Sequence, residues 1–276
     1  MSLARRLPTR ILLALATCLL SSAISLCRAQ TAEDSDERNI QDLITASHIL
    51  ANEGVLDSFG HATVRSVQNP SHLFMPRAMP PALVTRADIV ELDSDCNLVA
   101  QKAVRLNGER YIHCEIYKVR PDVQSVIHTH DPAVLPFGLS RTPMRAVLAQ
   151  AGFLPAKAPV FDIRNVPLQK KGMLILNPVL GRALAKSLGA HPVVLMRGHG
   201  DTVVGKSVRE AAVRAIYTDM NARAQAAAIA LGSSVVALNA AERAAYDAEQ
   251  RPDRPWENFR QRLPEARAAP SPKSGP

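Results

Sequence analysis

The chain has 276 residues, a formal net charge of +8, 47% hydrophobic and only 4% aromatic residues. Its basic excess is partly N-terminal: four of the 33 Lys and Arg precede position 29 and all 25 acids follow it, leaving 29 basic against 25 acidic residues, a net +4. So mild a balance, with no arginine-rich helix and no interleaved aromatics, argues against a nucleic-acid partner, while the length suits one large domain.

Arg5, Arg6 and Arg10 precede an apolar run from Ile11 to Leu26, and Cys27 and Ala29 lie three and one places before Gln30 in a small-x-small pattern. A basic start, an apolar middle and a small-residue end predict a cleavable secretory signal over residues 1–29 and a secreted, periplasmic product. Ser21, Ser22 and Ser25 dilute the run below the roughly 18 apolar residues of a membrane anchor, so no stable span is expected after processing. Only Cys96 and Cys114 remain downstream. Export would allow them to pair, but two cysteines without a repeating spacing are read as small core residues.

Residues 35–53 place Ile40, Leu43, Ile44 and Leu50 near helical spacing, and Gly54 stops the pattern. Short β-rich pieces follow, "HATVRSV", "HLFMP" and "DIVELD", set apart by turn residues, which predict an antiparallel sheet. Residues 109–119 read as a helix closed by Arg120-Pro121, and "VQSVIHTH" as a buried strand. A short helix in "DPAVLPFGLS", strands at "RAVLA" and "APVFDI", and a helix near "PVLGRALAKSLG" come next. "HPVVLMRGHG" is a strand running into a glycine-flanked His199, and "SVREAAVRAIYTDMNARAQAAAIALG" a long alanine-rich helix. From position 247 the composition turns to Pro, Arg and Glu, which predicts a partly disordered tail over 247–276 after a catalytic region over 30–246. Helix and strand alternating without repeats indicate one α/β domain with a mixed sheet.

"HTH" and "RGHG" share a grammar, an apolar strand ending in histidine. On a strand, His128 and His130 project to the same side, and two imidazoles need a third ligand to hold a catalytic ion. His199, between two glycines that allow close approach, is the best candidate.

The order "GER…H" at 108–113, "RPDVQSVIHTH" at 120–130 and "RGHG" at 197–200 resembles the class II aldolase/adducin family, across nearly the whole chain after residue 29. The resemblance implies an α/β single-domain fold whose mixed, mostly antiparallel central sheet is flanked by helices. It implies a divalent ion, zinc or manganese, on His128, His130 and His199, with Glu109 as catalytic acid/base, and a homotetramer with interfacial active sites. Burial is expected to raise the Glu109 pKa toward neutrality. Sugar-phosphate aldolases of the family cradle phosphate with Gly-Asn, Thr-Gly and Ser-Ser pairs, where this chain has Gly60-His61, Arg77-Ala78 and Asn107-Gly108. The lost hydroxyls argue against phosphate, and the arrival of Arg77 argues for a carboxylate, with His61, Arg77, Asn107 and Gly108 as substrate contacts. "DSFGHATVR" and "NPSHLFMPRAMPPALVTRADIVELD" are most similar to the branch containing hydroxypyridine-dicarboxylate decarboxylases. The expected activity is therefore a metal-dependent carbon–carbon lyase on a small non-phosphorylated hydroxy or oxo acid, decarboxylase-like, with a retro-aldol aldolase and a non-catalytic adducin-like binding module as alternatives. His113, one turn after Glu109, reads as a packed helix residue or a support for that carboxylate, Glu115 as solvated and Tyr217 as core packing. His48, His72 and His191 read as surface or turn residues.

Overall fold

A computed structural model of the chain describes residues 35–99, 103–167, 172–232, 234–249 and 251–264. The expected signal segment and the last residues of the tail lie outside them. Among the described residues no helix is long and apolar enough to cross a membrane.

Seven strands form one sheet: β1 (His61–Arg65), β2 (Leu73–Pro76), β3 (Ile89–Leu92), β4 (Ser125–Thr129), β5 (Val160–Phe161), β6 (Val193–Met196) and β7 (Gly200–Gly205). Their order is β3-β2-β1-β4-β7-β6-β5, and every neighbouring pair is antiparallel except β5 with β6. The mixed, mostly antiparallel sheet flanked by helices is the architecture the sequence indicated. On one face lie α1 (residues 35–52), α5 (Val208–Ala230) and α7 (Asp253–Arg260); on the other lie α2 (Tyr111–Val119) and α4 (Pro178–Leu188). The short α3 (Leu135–Leu139) follows β4, and α6 (Ala240–Glu249) precedes α7.

Successive side chains on a strand point to opposite faces, so the central strands serve two cores. Ile127 and Val203 join Leu43, Leu50 and Ala212, whereas Val126 and Val204 join Ile112, Ile116 and Leu184. A strand covered on both faces loses the apolar–polar alternation, which is why Val126 and Ile127 follow one another in β4 ahead of the histidines. His128 is in phase with Val126, on the α2 side, and the β1–β4 register sets His61 directly opposite it.

Five expectations differ. "DTVVG" is a strand: His199 lies in the turn of a β6–β7 hairpin, where its N–H donates to the Met196 carbonyl at 3.0 Å, rather than at the end of a lone strand. "RAVLA" forms no strand, because α5 side chains take its backbone groups. Asn221 Oδ1 accepts from Val147 N at 2.8 Å and Asn221 Nδ2 donates to Arg145 O at 2.8 Å, while Gln225 Oε1 accepts from Arg145 N at 2.9 Å. The presumed tail belongs to the domain as far as residue 264: α6 runs through 247, and Trp256, Phe259 and Leu263 are buried in the α5-side core, Tyr217 meeting the Phe259 ring edge-on. Cys96 and Cys114 form a disulfide with Cα atoms 6.0 Å apart, which joins the loop after β3 to α2. Glu115 is buried, not solvated, because α4 crosses α2 so closely at Gly181 that a Cβ there would sit 2.8 Å from Glu115 Cγ; Lys118 Nζ pairs with its carboxylate at 2.9 Å.

Candidate metal centre

His128 stands one residue before the end of β4, and its Nδ1 lies 2.9 Å from the Asp201 carbonyl of β7. A carbonyl can only accept, so Nδ1 donates to it, which leaves Nε2 as the nitrogen turned to the rest of the cluster. His130 brings its Nε2 to 3.2 Å from that of His128. The β6–β7 turn delivers His199 between them, its ring centroid 4.9 Å from each. That approach depends on Gly200, whose φ is +131° and where a Cβ would overlap the Thr129 carbonyl. Both ring nitrogens of His199 are buried without a hydrogen-bond partner.

Glu109 enters from the start of α2. Asn107 caps its backbone, Oδ1 accepting from Glu109 N at 2.9 Å, and the residue takes a non-helical φ of −90° and ψ of 15°. Its Oε1 accepts from Ile175 N at 2.8 Å, which turns Oε2 toward the imidazoles, 3.7 Å from His128 Nε2 and 3.5 Å from His199 Nε2. One ligand atom from each of Glu109, His128, His130 and His199 lies within 4.8 Å of the other three. Tetrahedral donors at about 2.0–2.1 Å from one ion are about 3.4 Å apart, so the separations of 3.2, 3.5 and 3.7 Å suit a single divalent ion. The unpartnered His199 nitrogens point the same way, since a buried polar atom without a partner in the protein is costly unless a ligand satisfies it.

Electrostatics divide the cluster. Burial pushes the Glu109 carboxyl up, but the two imidazoles facing Oε2 outweigh it and hold Glu109 below the usual carboxylate range, the reverse of the expected shift. Burial, reinforced by His128 and His199, lowers His130 to about 4, so its lone pair is free at neutral pH. A buried acid trio that no motif marks, Asp131, Asp201 and Asp219, lies behind the ligands on the α5 side. Thr129 Oγ1 donates a short hydrogen bond to Asp201, whose pKa burial raises to about 7, and burial together with Asp201 and Asp219 also raises Asp131.

The remaining candidate residues separate. His61 is buried with its ring centroid 5.3 Å from that of His128. His113 does not support Glu109: its Nε2 lies 2.6 Å from His61 Nδ1 and its Nδ1 2.8 Å from Thr63 Oγ1. Glu109, His113 and Tyr117 recur every fourth residue along one helix face, a spacing that could have revealed this arrangement. Asn107 shapes the Glu109 turn, and Gly108 leaves room for Leu176, 3.0 Å from where a Cβ would stand. Arg77 donates from Nε to Asp88 at 2.8 Å, and none of its hydrogen bonds or ion pairs reaches the cluster. Of the histidines set aside as peripheral, His48 meets the Val84 carbonyl and His72 pairs with Glu91.

Residues 41–226 match the class II aldolase and adducin N-terminal domain. The chain belongs to the class II aldolase and adducin family. Within it, the chain is 37% identical over 207 residues to decarboxylase tropJ of Talaromyces stipitatus, covering 71% of this chain and 78% of that one. It is 34% identical over 208 residues to the 3,4-dihydroxyphthalate decarboxylase of a Terrabacter species, covering 72% and 85%. An L-fuculose 1-phosphate aldolase from Glaciozyma antarctica shares the fold, with a TM-score of 0.69 at 20% identity over 84% of this chain and 92% of that one. Family membership together with relatives of this kind supports a decarboxylase-like lyase.

Proposed function

We propose that the protein is a divalent-metal-dependent decarboxylase of a small hydroxylated or oxo carboxylic acid without phosphate. The observation that carries this reading is the convergence of Glu109, His128, His130 and His199, with both His199 nitrogens buried and unpartnered. An ion on the three imidazoles would act as a Lewis acid, stabilising the negative charge that develops as the carbon–carbon bond breaks. Glu109 is ionised before substrate binds, so Oε2 takes the proton of the substrate hydroxyl. Carbon dioxide then leaves, the bonding electron pair stays on the substrate carbon, and Oε2 returns the proton to that carbon, restoring the carboxylate. Ile175 N holds Oε1 throughout, so the same oxygen faces the reacting atoms in both transfers. His61, whose ring stands beside that of His128, would bind a substrate oxygen, while Arg77, Asn107 and Gly108 enter as substrate contacts from the sequence alone. The two relatives named as decarboxylases, one of them for 3,4-dihydroxyphthalate, support this reading over a retro-aldol aldolase.

The protein is further proposed to be an exported, periplasmic enzyme, which the signal-like N-terminus and the Cys96–Cys114 disulfide support, and a homotetramer. Export is read by N-terminal sequencing of fractionated protein and the tetramer by light scattering. The function is tested by metal analysis and by incubating zinc- or manganese-loaded protein with hydroxy-, oxo- and aromatic dicarboxylic acids. One ion per chain, lost in His130→Ala, with carbon dioxide and no aldehyde, is the expected result. Aldehyde alone selects the aldolase, and far less than one ion per chain after supplementation selects a binding module.

A further inference from the structure

Behind His61 runs a buried hydrogen-bonded line that the chemistry above does not use. Tyr117 OH lies 2.9 Å from Thr63 Oγ1, Thr63 Oγ1 2.8 Å from His113 Nδ1, and His113 Nε2 2.6 Å from His61 Nδ1. All four residues are buried, and the line spans β1 and α2 on the ligand face of the sheet.

Its direction follows from the distances. The other acceptors open to the two hydroxyls, the Gln124 and Val126 carbonyls, both stand at 3.4 Å, beyond the range of about 2.5–3.0 Å for an O–H···O bond. One arrangement alone puts both hydroxyl protons into short bonds: Tyr117 donates to Thr63, and Thr63 donates to His113 Nδ1. His113 must then carry its proton on Nε2 and donate to His61 Nδ1, and His61 is left with its proton on Nε2. Burial lowers His113 to about 3, so the ring is neutral and has only that one proton to give. His61 Nε2 has no hydrogen-bond partner among the described residues, and its ring stands beside that of His128.

We propose that His113, held by Thr63 and Tyr117, is a positioning residue that fixes His61 as a neutral Nε2–H donor toward an oxygen of the bound acid. This rests on the proposed function for the identity of the acceptor, not for the tautomer. A fixed donor favours carboxylate or phenolate oxygens and turns away groups that can only donate, so the line sets substrate class rather than turnover.

The test is a long-range proton–nitrogen correlation spectrum of ¹⁵N-labelled, zinc-loaded protein, with calorimetric titration of 3,4-dihydroxyphthalate as the probe acid. His61 and His113 should both appear as Nε2–H tautomers. Thr63→Val should mix the two tautomers and weaken the probe about tenfold, the loss of one hydrogen bond to a charged group, while leaving the zinc content unchanged. Thr63→Ser should restore both readouts, and His113→Phe breaks the same line should Thr63→Val fail to fold. A wild-type spectrum with His61 protonated on Nδ1, or a His61 pattern indifferent to Thr63→Val, overturns the proposal, as does probe affinity equal in wild type and variant. Absence of zinc from the wild type would sink the proposed function alone, because the tautomers are read in the same sample.

Discussion

Replacing His199 with Leu should reverse its effect on stability according to whether metal is present. In the metal-free protein the imidazole buries two nitrogens without partners, in a side chain only 8% exposed. Each such atom costs about 1–3 kcal/mol, and an apolar side chain of similar volume removes that cost. Position 199 is not left-handed, since among the described residues only Cys96 has positive φ apart from glycines, so Leu fits the turn without backbone strain. In chelator, His199→Leu should therefore melt several degrees above wild type, at about 2–4 °C per kcal/mol for a domain of this size. With free zinc at a hundred times its Kd, wild type should gain about 2.7 kcal/mol and the variant, one ligand short, very little, so the order inverts. Thermal unfolding with chelator and with excess zinc reads both halves. The reasoning fails if the variant is the less stable protein in chelator, or if zinc raises its midpoint as much as that of wild type.

Glu109→Gln should keep the ion and lose about 10²- to 10⁴-fold in kcat, the contribution of one positioned proton-transfer group; an unchanged rate of carbon dioxide release would remove Glu109 from the mechanism. Replacing Cys96 and Cys114 by Ser opens a link across a sequence separation of 18, which should cost about 3 kcal/mol and about 6–12 °C; denatured, unreduced protein should titrate no thiol from this pair. Asp201, raised to about 7 by burial, binds its proton more tightly folded than unfolded, so its stabilising contribution is complete below about pH 4 and is lost as pH climbs through 7. Urea midpoints should accordingly fall between about pH 5 and 7 in wild type, level off above that, and stay flatter in Asp201→Asn.

Most of the architecture could be read from the chain because burial on two faces leaves plain patterns: β4 is buried at every position, with Val126 and Ile127 apolar in succession, and α4 carries its own Asn177 cap and Gly189 stop. The strand assigned to "RAVLA" had the right residues and the wrong partner. Its backbone groups are taken by Asn221 and Gln225, which lie some 75 to 80 positions away and look like ordinary polar residues of a helix. β7 was hidden because Gly200, which opens it, reads as a loop residue although it is there to clear the Thr129 carbonyl. Of the site, the histidines stood out by type and spacing, and Glu109 by the family resemblance. The direction of the Glu109 shift could not, because it depends on two imidazoles facing one oxygen while a backbone N–H holds the other.

That last arrangement bears on how the site can work. Three separate segments fix Glu109: Asn107 sets its backbone turn, Ile175 N takes Oε1, and the Cys96–Cys114 disulfide pins α2 one turn further on to the loop after β3. The histidines are fixed independently, His128 by the Asp201 carbonyl and His199 by a hairpin turn that only glycine at 200 permits. The carboxylate and the imidazoles are therefore brought together by restraints that do not require an ion, and the separations already suit one. A centre preorganised in this way loses little freedom on binding metal, so the affinity is not spent on folding the ligand shell. Glu109 is also less free to swing away, and in the proposed reaction this would keep Oε2 within reach of both the hydroxyl proton and the carbon to be protonated.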